Sequence, residues 1–400
     1  MTPLLRSGKY LMTIIFFISC STNNSGDKDY VEVIINNSKI IETANISDRI
    51  GSVKILPLAE EKGNRIGGVY KLFALQDKYI IYDRLSINKI LLFDDRGSFI
   101  KAIVKAGDSI NEPLNITDCW LNENNELEVY DYAQMRIYQF DSSFILRNIV
   151  KSNSLDHFAG LRAIPKKHQY IGYANFSDFN KPFNKSSYQI AFMDSDLNIM
   201  GTDKNFNNEF RGITWTMYKT HFYKYRDTLR FVKAYDNYIY SVLIKQIKPR
   251  YKIHYKENSL PDDVLPIVKE QLEIFKDRDI DPNVKALYFK KFSRFNGLWL
   301  ENDKYIFISS RDTLGKYGNS FYSLIDKNNN KELFSARNLC DTKSYKLMLP
   351  PFEFYDEIHN EFISIVNGFN LKSLLFSESY FKQRVISDPN IFYLVKVKLK

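Results

Sequence analysis

The densest group of side chains with binding chemistry runs from Phe210 to Arg226, FRGITWTMYKTHFYKYR. Trp215, Tyr218 and Tyr223 are interleaved there with Arg211 and Arg226, and His221 lies between them. Aromatic faces stack on sugar rings or peptide side chains, and neighbouring cations can hold acidic groups. Arg211, Trp215, Tyr218, His221, Tyr223 and Arg226 are therefore the candidate ligand-binding residues. The competing reading is that so many aromatics simply fill the wedge between packed sheets.

Catalytic signatures are absent. The chain has no HExxH, GxSxG, Walker loop or CxxC pair, so zinc-protease, serine-hydrolase, P-loop and thioredoxin-like chemistry lack their usual residues. His157, His168, His221, His254 and His359 are scattered along the chain. His221 near Arg226 is the pair to watch, because a positioned His can move protons. Asp326-Lys327-Asn328-Asn329-Asn330 has the oxygen density of a calcium loop. It lacks the glycine and the terminal glutamate at the required distances, so it reads as a polar hairpin turn. No metal and no cofactor is expected. Three cysteines do not make a disulfide framework, and Cys119 and Cys340 read as small buried hydrophobes.

The elements that must position these groups come from a repeat. YKLFALQDKYIIYDRLSINKILLFDDRGSFIKAI is followed by NITDCWLNENNELEVYDYAQMRIYQFDSSFILRNI, so Tyr82-Asp83 matches Tyr130-Asp131 and Phe93-Asp94 matches Phe140-Asp141. Four short strands at a period of roughly 45 residues make the unit of a β-propeller blade. Further units follow at 161–200, 217–254 and 297–337. A sixth is built from FEFYDEI, EFISIVNGFN and the closing strand IFYLVKVKLK, with a helix expected over Lys372 to Val385. The aromatic share of 15% favours strands throughout. Residues 261–292 break the pattern: apolar positions at Val264, Val268, Leu272 and Phe275 predict an amphipathic helical insertion between blades. The fold class is thus all-β, a six-bladed propeller of four-stranded blades. Its closure follows from the edge problem, because a ring leaves exposed strand edges unless its ends meet. Ser52 to Leu58 is expected to pair as the outer strand against Ile391 to Leu399.

The N-terminus reads as an address. Arg6 and Lys9 precede the apolar run YLMTIIFFI, then Ser19 and Cys20, then the polar stretch STNNSGDKD. The run is too short to span a bilayer but suits a signal peptide. A small residue before a cysteine at that point resembles the bacterial lipoprotein signal, in which the cysteine carries the lipid. The division expected is 1–19 signal peptide, 20–49 lipidated N-terminus and tether, and 50–400 propeller. Removing the signal takes away two of the nine net positive charges; the rest are scattered among acids, so no nucleic-acid partner is implied.

Taken together, the lipoprotein-type cysteine, the VKILPL strand, the two matched units with their Gly- and Glu-containing linker, and a last strand preceded by DPN resemble a family of six-bladed propeller lipoproteins of Bacteroidota-type bacteria. That family is distantly similar to NHL-repeat propellers and is mostly uncharacterised. Where it carries a Gly-x-Gly-Pro-Gly-Glu-like turn, this chain keeps only Gly107 and Glu112. The resemblance implies a fold and a place at the cell envelope, by way of the outer membrane, but no activity. The reading is a lipid-anchored propeller that binds a ligand or an envelope protein on one face of its ring. The rival is a lyase or hydrolase of glycans or peptides. An enzyme requires His, Arg, Tyr or carboxylates converging at the channel, whereas a binder requires aromatics and amides.

Overall fold

The computed structural model describes residues 29–400, apart from 62, 85–87, 108, 110, 152–157, 175–187, 206–219, 234–235, 265, 268, 271–290, 314–318 and 377–389. Three strands precede the repeats: β1 (Val31–Ile35), β2 (Ile41–Asn45) and β3 (Ile50–Pro57). Blade I is β4 (Val69–Ala74), β5 (Lys78–Asp83), β6 (Lys89–Asp94) and β7 (Phe99–Lys105). Blade II is β8 (Ile116–Leu121), β9 (Leu127–Asp131), β10 (Arg136–Phe140) and β11 (Leu146–Lys151). Blade III is β12 (Gly160–Ile164), β13 (Gln169–Tyr173), β14 (Tyr188–Met193) and β15 (Ile199–Asn205). Blade IV is β16 (Phe222–Tyr225), β17 (Thr228–Val232), β18 (Tyr238–Leu243) and β19 (Gln246–Tyr255). Blade V is β20 (Arg294–Glu301), β21 (Tyr305–Arg311), β22 (Ser320–Asp326) and β23 (Lys331–Asp341), with β24 (Leu347–Leu349) beside its last strand. Blade VI is β25 (Phe354–Asp356), β26 (Glu361–Asn367) and β27 (Phe392–Leu399), completed by β3.

The six-bladed ring and its closure are as the repeat requires. β3 lies antiparallel to β27, with Val53 opposite Val397 and Ile55 opposite Val395. β27 buries Leu394, Val395 and Val397 completely. The first strand of each blade lies innermost, and six apolar clusters each straddle one seam between neighbouring blades. Burial at these seams is what holds the ring together, since a single four-stranded sheet cannot cover its own apolar faces.

The repeat residues act as connectors. Tyr82 donates to the carbonyl of Ile116 at the start of blade II, and Tyr130 accepts from the amide of Phe158 ahead of blade III at 3.5 Å. Asp83, fully buried, accepts the amide of Gly67 at 2.6 Å; Asp131 accepts that of Leu114 at 2.7 Å. Each aspartate thus fixes the chain entering its own blade. Asp94, Asp141 and Asp194 each accept the amides two and four residues on, at 2.7 to 3.0 Å, closing the third turn of blades I to III. Such short carboxylate-to-backbone turns are local, so the sequence alone can encode them. Asp326 likewise accepts the amide of Asn328, and the stretch once reminiscent of a calcium loop is a hairpin turn.

The structure adds to or moves several expectations. Residues 31–45, ahead of the expected start of the ring near residue 50, carry β1 and β2. These pair parallel with the outer strands β19 and β23 and cover the rims of blades IV and V. Among the described residues a helix, α1 (Gly368–Leu374), begins ahead of the expected Lys372, because Asn367 accepts the amide of Asn370 and caps it there; most of the expected span from Lys372 to Val385 lies outside the described residues. Most of the helical insertion at 261–292 lies outside the described residues. In the linker, the Glu112 carboxylate packs against Gly107, its Oε2 lying 2.3 Å from where a Cβ on Gly107 would stand. Cys119 and Cys340 are both free and buried.

Candidate functional site

The inner strands carry one kind of irregularity. In YKLF, TDCW and LRAI a single charged residue interrupts an apolar run: Lys71, Asp118 and Arg162. Lys71 and Asp118 stand at the same position of the repeat, opposite Tyr82 and Tyr130. The ring brings all three together. Lys71 Nζ donates to Asp118, and Arg162 Nη1 lies 3.2 Å from Asp118 Oδ1 and 2.7 Å from the carbonyl of Cys119. All three side chains are buried. Burial, followed by repulsion from Arg162, lowers the Lys71 ammonium to about 8, against the pull of Asp118. Burial pushes the neighbouring Cys119 thiol up to about 12, so it is no nucleophile.

A second cluster of the same composition lies between blades IV and V. Glu301 receives Lys327 Nζ at 2.9 Å and the Tyr251 hydroxyl at 2.8 Å on one oxygen, and Trp299 Nε1 at 3.2 Å and Arg230 Nε at 3.4 Å on the other. Burial would raise this carboxyl, but Arg230 and Lys327 hold it below the usual range. Each buried carboxylate here is therefore matched by two cations.

Lys71, Arg162, Arg230 and Glu301 line a cavity of about 190 Å³ along the ring axis, walled also by Tyr70, Tyr223 and Tyr355. It opens into a mouth of about 280 Å³ at the end of the ring formed by the first hairpin turns. Leu72, Phe73, Arg162, Phe222, Lys224 and Tyr355 line both, so channel and mouth are continuous. Glu123, Asp227 and Glu357 stand around the mouth.

The sequence-derived candidates divide. Arg211, Trp215 and Tyr218 lie outside the described residues, as does Cys20. Tyr223 lines the channel, its hydroxyl donating to the carbonyl of Thr220 at 3.2 Å. Arg226 is exposed on the rim, paired with Asp303 at 2.5 Å across to blade V, and it takes no part in the channel wall. His221 is half-buried beside Tyr173 of blade III. Its Nδ1 is 3.1 Å from the carbonyl of Val232, which can only accept, so Nδ1 carries the proton. Its ring meets fully buried Tyr173 edge-on at 4.7 Å, and burial lowers its pKa to about 4. His221 and Arg226 do not form a pair: one is inside the blade III–IV seam, the other on the rim. His359 bonds Asp356 at 2.6 Å within its own turn, and His254 is exposed.

Lys71, Asp118, Arg162, Arg230 and Glu301 were not among the candidates. For Lys71, Asp118 and Arg162 the available signal was a lone charge inside the inner strand; Arg230, on the second strand of its blade, and Glu301, at the end of β20, gave none. Only the ring, which places blades I, II and III side by side, turns three lone charges into one cluster.

The chain belongs to the family described as a domain of unknown function, DUF4934, whose profile matches residues 31–397. No functionally curated protein matches it. Among solved structures it is similar to a candidate exported protein from Bacteroides fragilis, at 14% identity over 92% of this chain and 100% of that one, with a TM-score of 0.71. It is also similar to a member of the DUF4221 family from Bacteroides vulgatus, at 10% identity over 88% and 97% of the two chains, with a TM-score of 0.51. These likenesses show the fold. Virginiamycin B lyase from Staphylococcus aureus, at 10% identity over 69% and 71% and a TM-score of 0.35, is too distant to carry an argument.

Proposed function

We propose that this protein is exported, held at the outer membrane by a lipid on Cys20, and binds a small acidic ligand in the channel of its propeller. The observation carrying the ligand class is the excess of cations around each of two buried carboxylates: Lys71 and Arg162 around Asp118, and Arg230 with the half-buried Lys327 around Glu301. A bound carboxylate would complete each set, and Tyr70, Tyr223 and Tyr355 offer faces for the rest of the ligand. No helix among the described residues is long and apolar enough to cross a membrane.

The test is calorimetry of the full-length protein with glucuronate, using glucose as the neutral counterpart. Glucuronate should bind more tightly, weaken with added salt, and take up protons near pH 8 as the bound anion restores the charge on Lys71. Equal affinity for the two sugars, or no proton uptake, would exclude the acidic-ligand reading. Loss of labelling by radioactive palmitate in Cys20→Ala tests the anchor.

One observation favours the rival enzymatic reading, a lyase or hydrolase. Lys71, held near 8 and facing the cavity, is suited to accept a proton from a substrate. A slow turnover of acidic glycans that is lost in Lys71→Met would place that reading first.

A further inference from the structure

The seam between blades II and III differs chemically from the matched seam between blades I and II. In blade I the row facing the next blade runs Phe73, Ile80, Leu92 across three strands. Blade II has Trp120, Glu128, Gln139, Asn148 across all four. Glu128 replaces Ile80 at the same repeat position and is buried. Its carboxylate accepts from Trp120 Nε1 at 2.5 Å, from the Tyr170 hydroxyl of blade III at 3.0 Å and from Gln139 Nε2 at 3.2 Å. Gln139 Oε1 in turn accepts from Asn148 Nδ2 at 3.0 Å. Burial raises the Glu128 carboxyl. This polar ladder borders a cavity of about 330 Å³, the largest of those described, separate from the channel cavity and touching the mouth only at Asn122, Glu123 and Ala163.

Of the ladder's carboxylate and amides only Glu128 is buried, with Gln139 half-buried and Asn148 exposed at the outer strand, so a carboxylate has been placed in a seam that could have been apolar, at a desolvation cost its hydrogen bonds offset. The cavity also holds an unfinished bond: Gln169 lines it, and its Oε1 is buried without a hydrogen-bond partner. Such an atom calls for a water or a ligand group. Glu128 has taken three donors and keeps room for a fourth. Amides, three carboxylates (Glu123, Glu126 and Glu128) and the Arg147 guanidinium around a pocket with an aromatic wall supply both the acceptors and the donors that vicinal hydroxyls pair with, since each hydroxyl both donates and accepts.

We propose that this cleft is a second ligand site, distinct from the channel, and that it takes a neutral polyhydroxylated molecule the size of a monosaccharide. Gln169, Asn148 and Glu128 hold its hydroxyls, and Tyr170 and Phe140 form the apolar side of the wall.

The experiment is saturation-transfer NMR on the full-length protein in a detergent without a sugar headgroup. The probes are the methyl glycosides of glucose, galactose and mannose, with cyclohexanol as the apolar control. At least one glycoside should receive saturation and cyclohexanol should not. Gln169→Leu removes no hydrogen bond of the fold and should weaken that glycoside at least tenfold, a loss typical of an unmatched buried polar group. Asn148→Leu provides the same readout from the other blade should the first variant fail to fold. A Lys71→Met protein, altered only in the channel, should bind as the parent does. Absence of glycoside binding at millimolar concentration, binding of cyclohexanol alone, or unchanged affinity in both cleft variants would overturn the proposal and leave the cleft to water.

Discussion

Replacing Lys71 by Met should make the protein more stable at neutral pH, and the gain should vanish in alkali. The native ammonium is held at about 8, against 10.5 for a free lysine. A gap of that size corresponds to about 3 kcal/mol of unfavourable burial while the group is charged in both states. Below pH 8 native and unfolded chains both carry the proton, and the penalty is present in full. Between pH 8 and 10.5 the unfolded chain binds more protons than the native one, so stability from this group rises with pH. Met keeps the length of the side chain and cannot titrate, while Asp118 retains Arg162 at 3.2 Å. Lys71→Met should therefore exceed the parent by about 1 to 3 kcal/mol at pH 7, and most of the difference should be gone by pH 10. Urea unfolding of both proteins at pH 7, 8, 9 and 10 measures it, and taking the difference cancels the many buried tyrosines that titrate alike in both. A variant that is less stable at pH 7 by an amount independent of pH would refute the reasoning: Lys71 would then be a net contributor through Asp118, not a cation confined at a cost.

Two further outcomes follow from the ring itself. Removing residues 391–400 strips β27 from between β26 and β3, so circular dichroism should show the whole propeller lost at once; a truncated chain that melts like the parent would mean the blades stand alone. Gly97→Ala should cost several kcal/mol, because its φ is +80° and a Cβ there would lie 2.0 Å from the carbonyl oxygen of Pro57 on the closing strand. Gly63→Ala, at φ +84° with open space around it, should cost only about 1 kcal/mol, and thermal melts of the two variants that coincide would show that the contact with β3 carries no load.

What the sequence determined by itself is what local chemistry encodes. The Phe-Asp positions specify turns within a few residues, and the Tyr-Asp positions recur at the same place in both matched units although their bonds reach the blade entry and the next blade, so the blade unit shows in the first two copies and can be traced through the rest. The alternation in FYLVKVKLK gives one buried face, and the need to cover a sheet edge pairs it with SVKILPL; both ends of the chain were legible for that reason. Gln169, Glu128 and Lys71 were not. Each is one polar residue inside a strand, and sequence does not say whether such a residue faces solvent, a seam or the axis. Tyr223 and His221 are two residues apart on the same stretch, yet the first lines the channel and the second is wedged against Tyr173. The cluster at Asp118 draws its members from three blades, and the pocket beside Glu128 from two. Their chemistry exists only after six sheets have closed into a ring, because closure decides which lone charges become neighbours and which polar atom, the Gln169 Oε1, is buried without a partner.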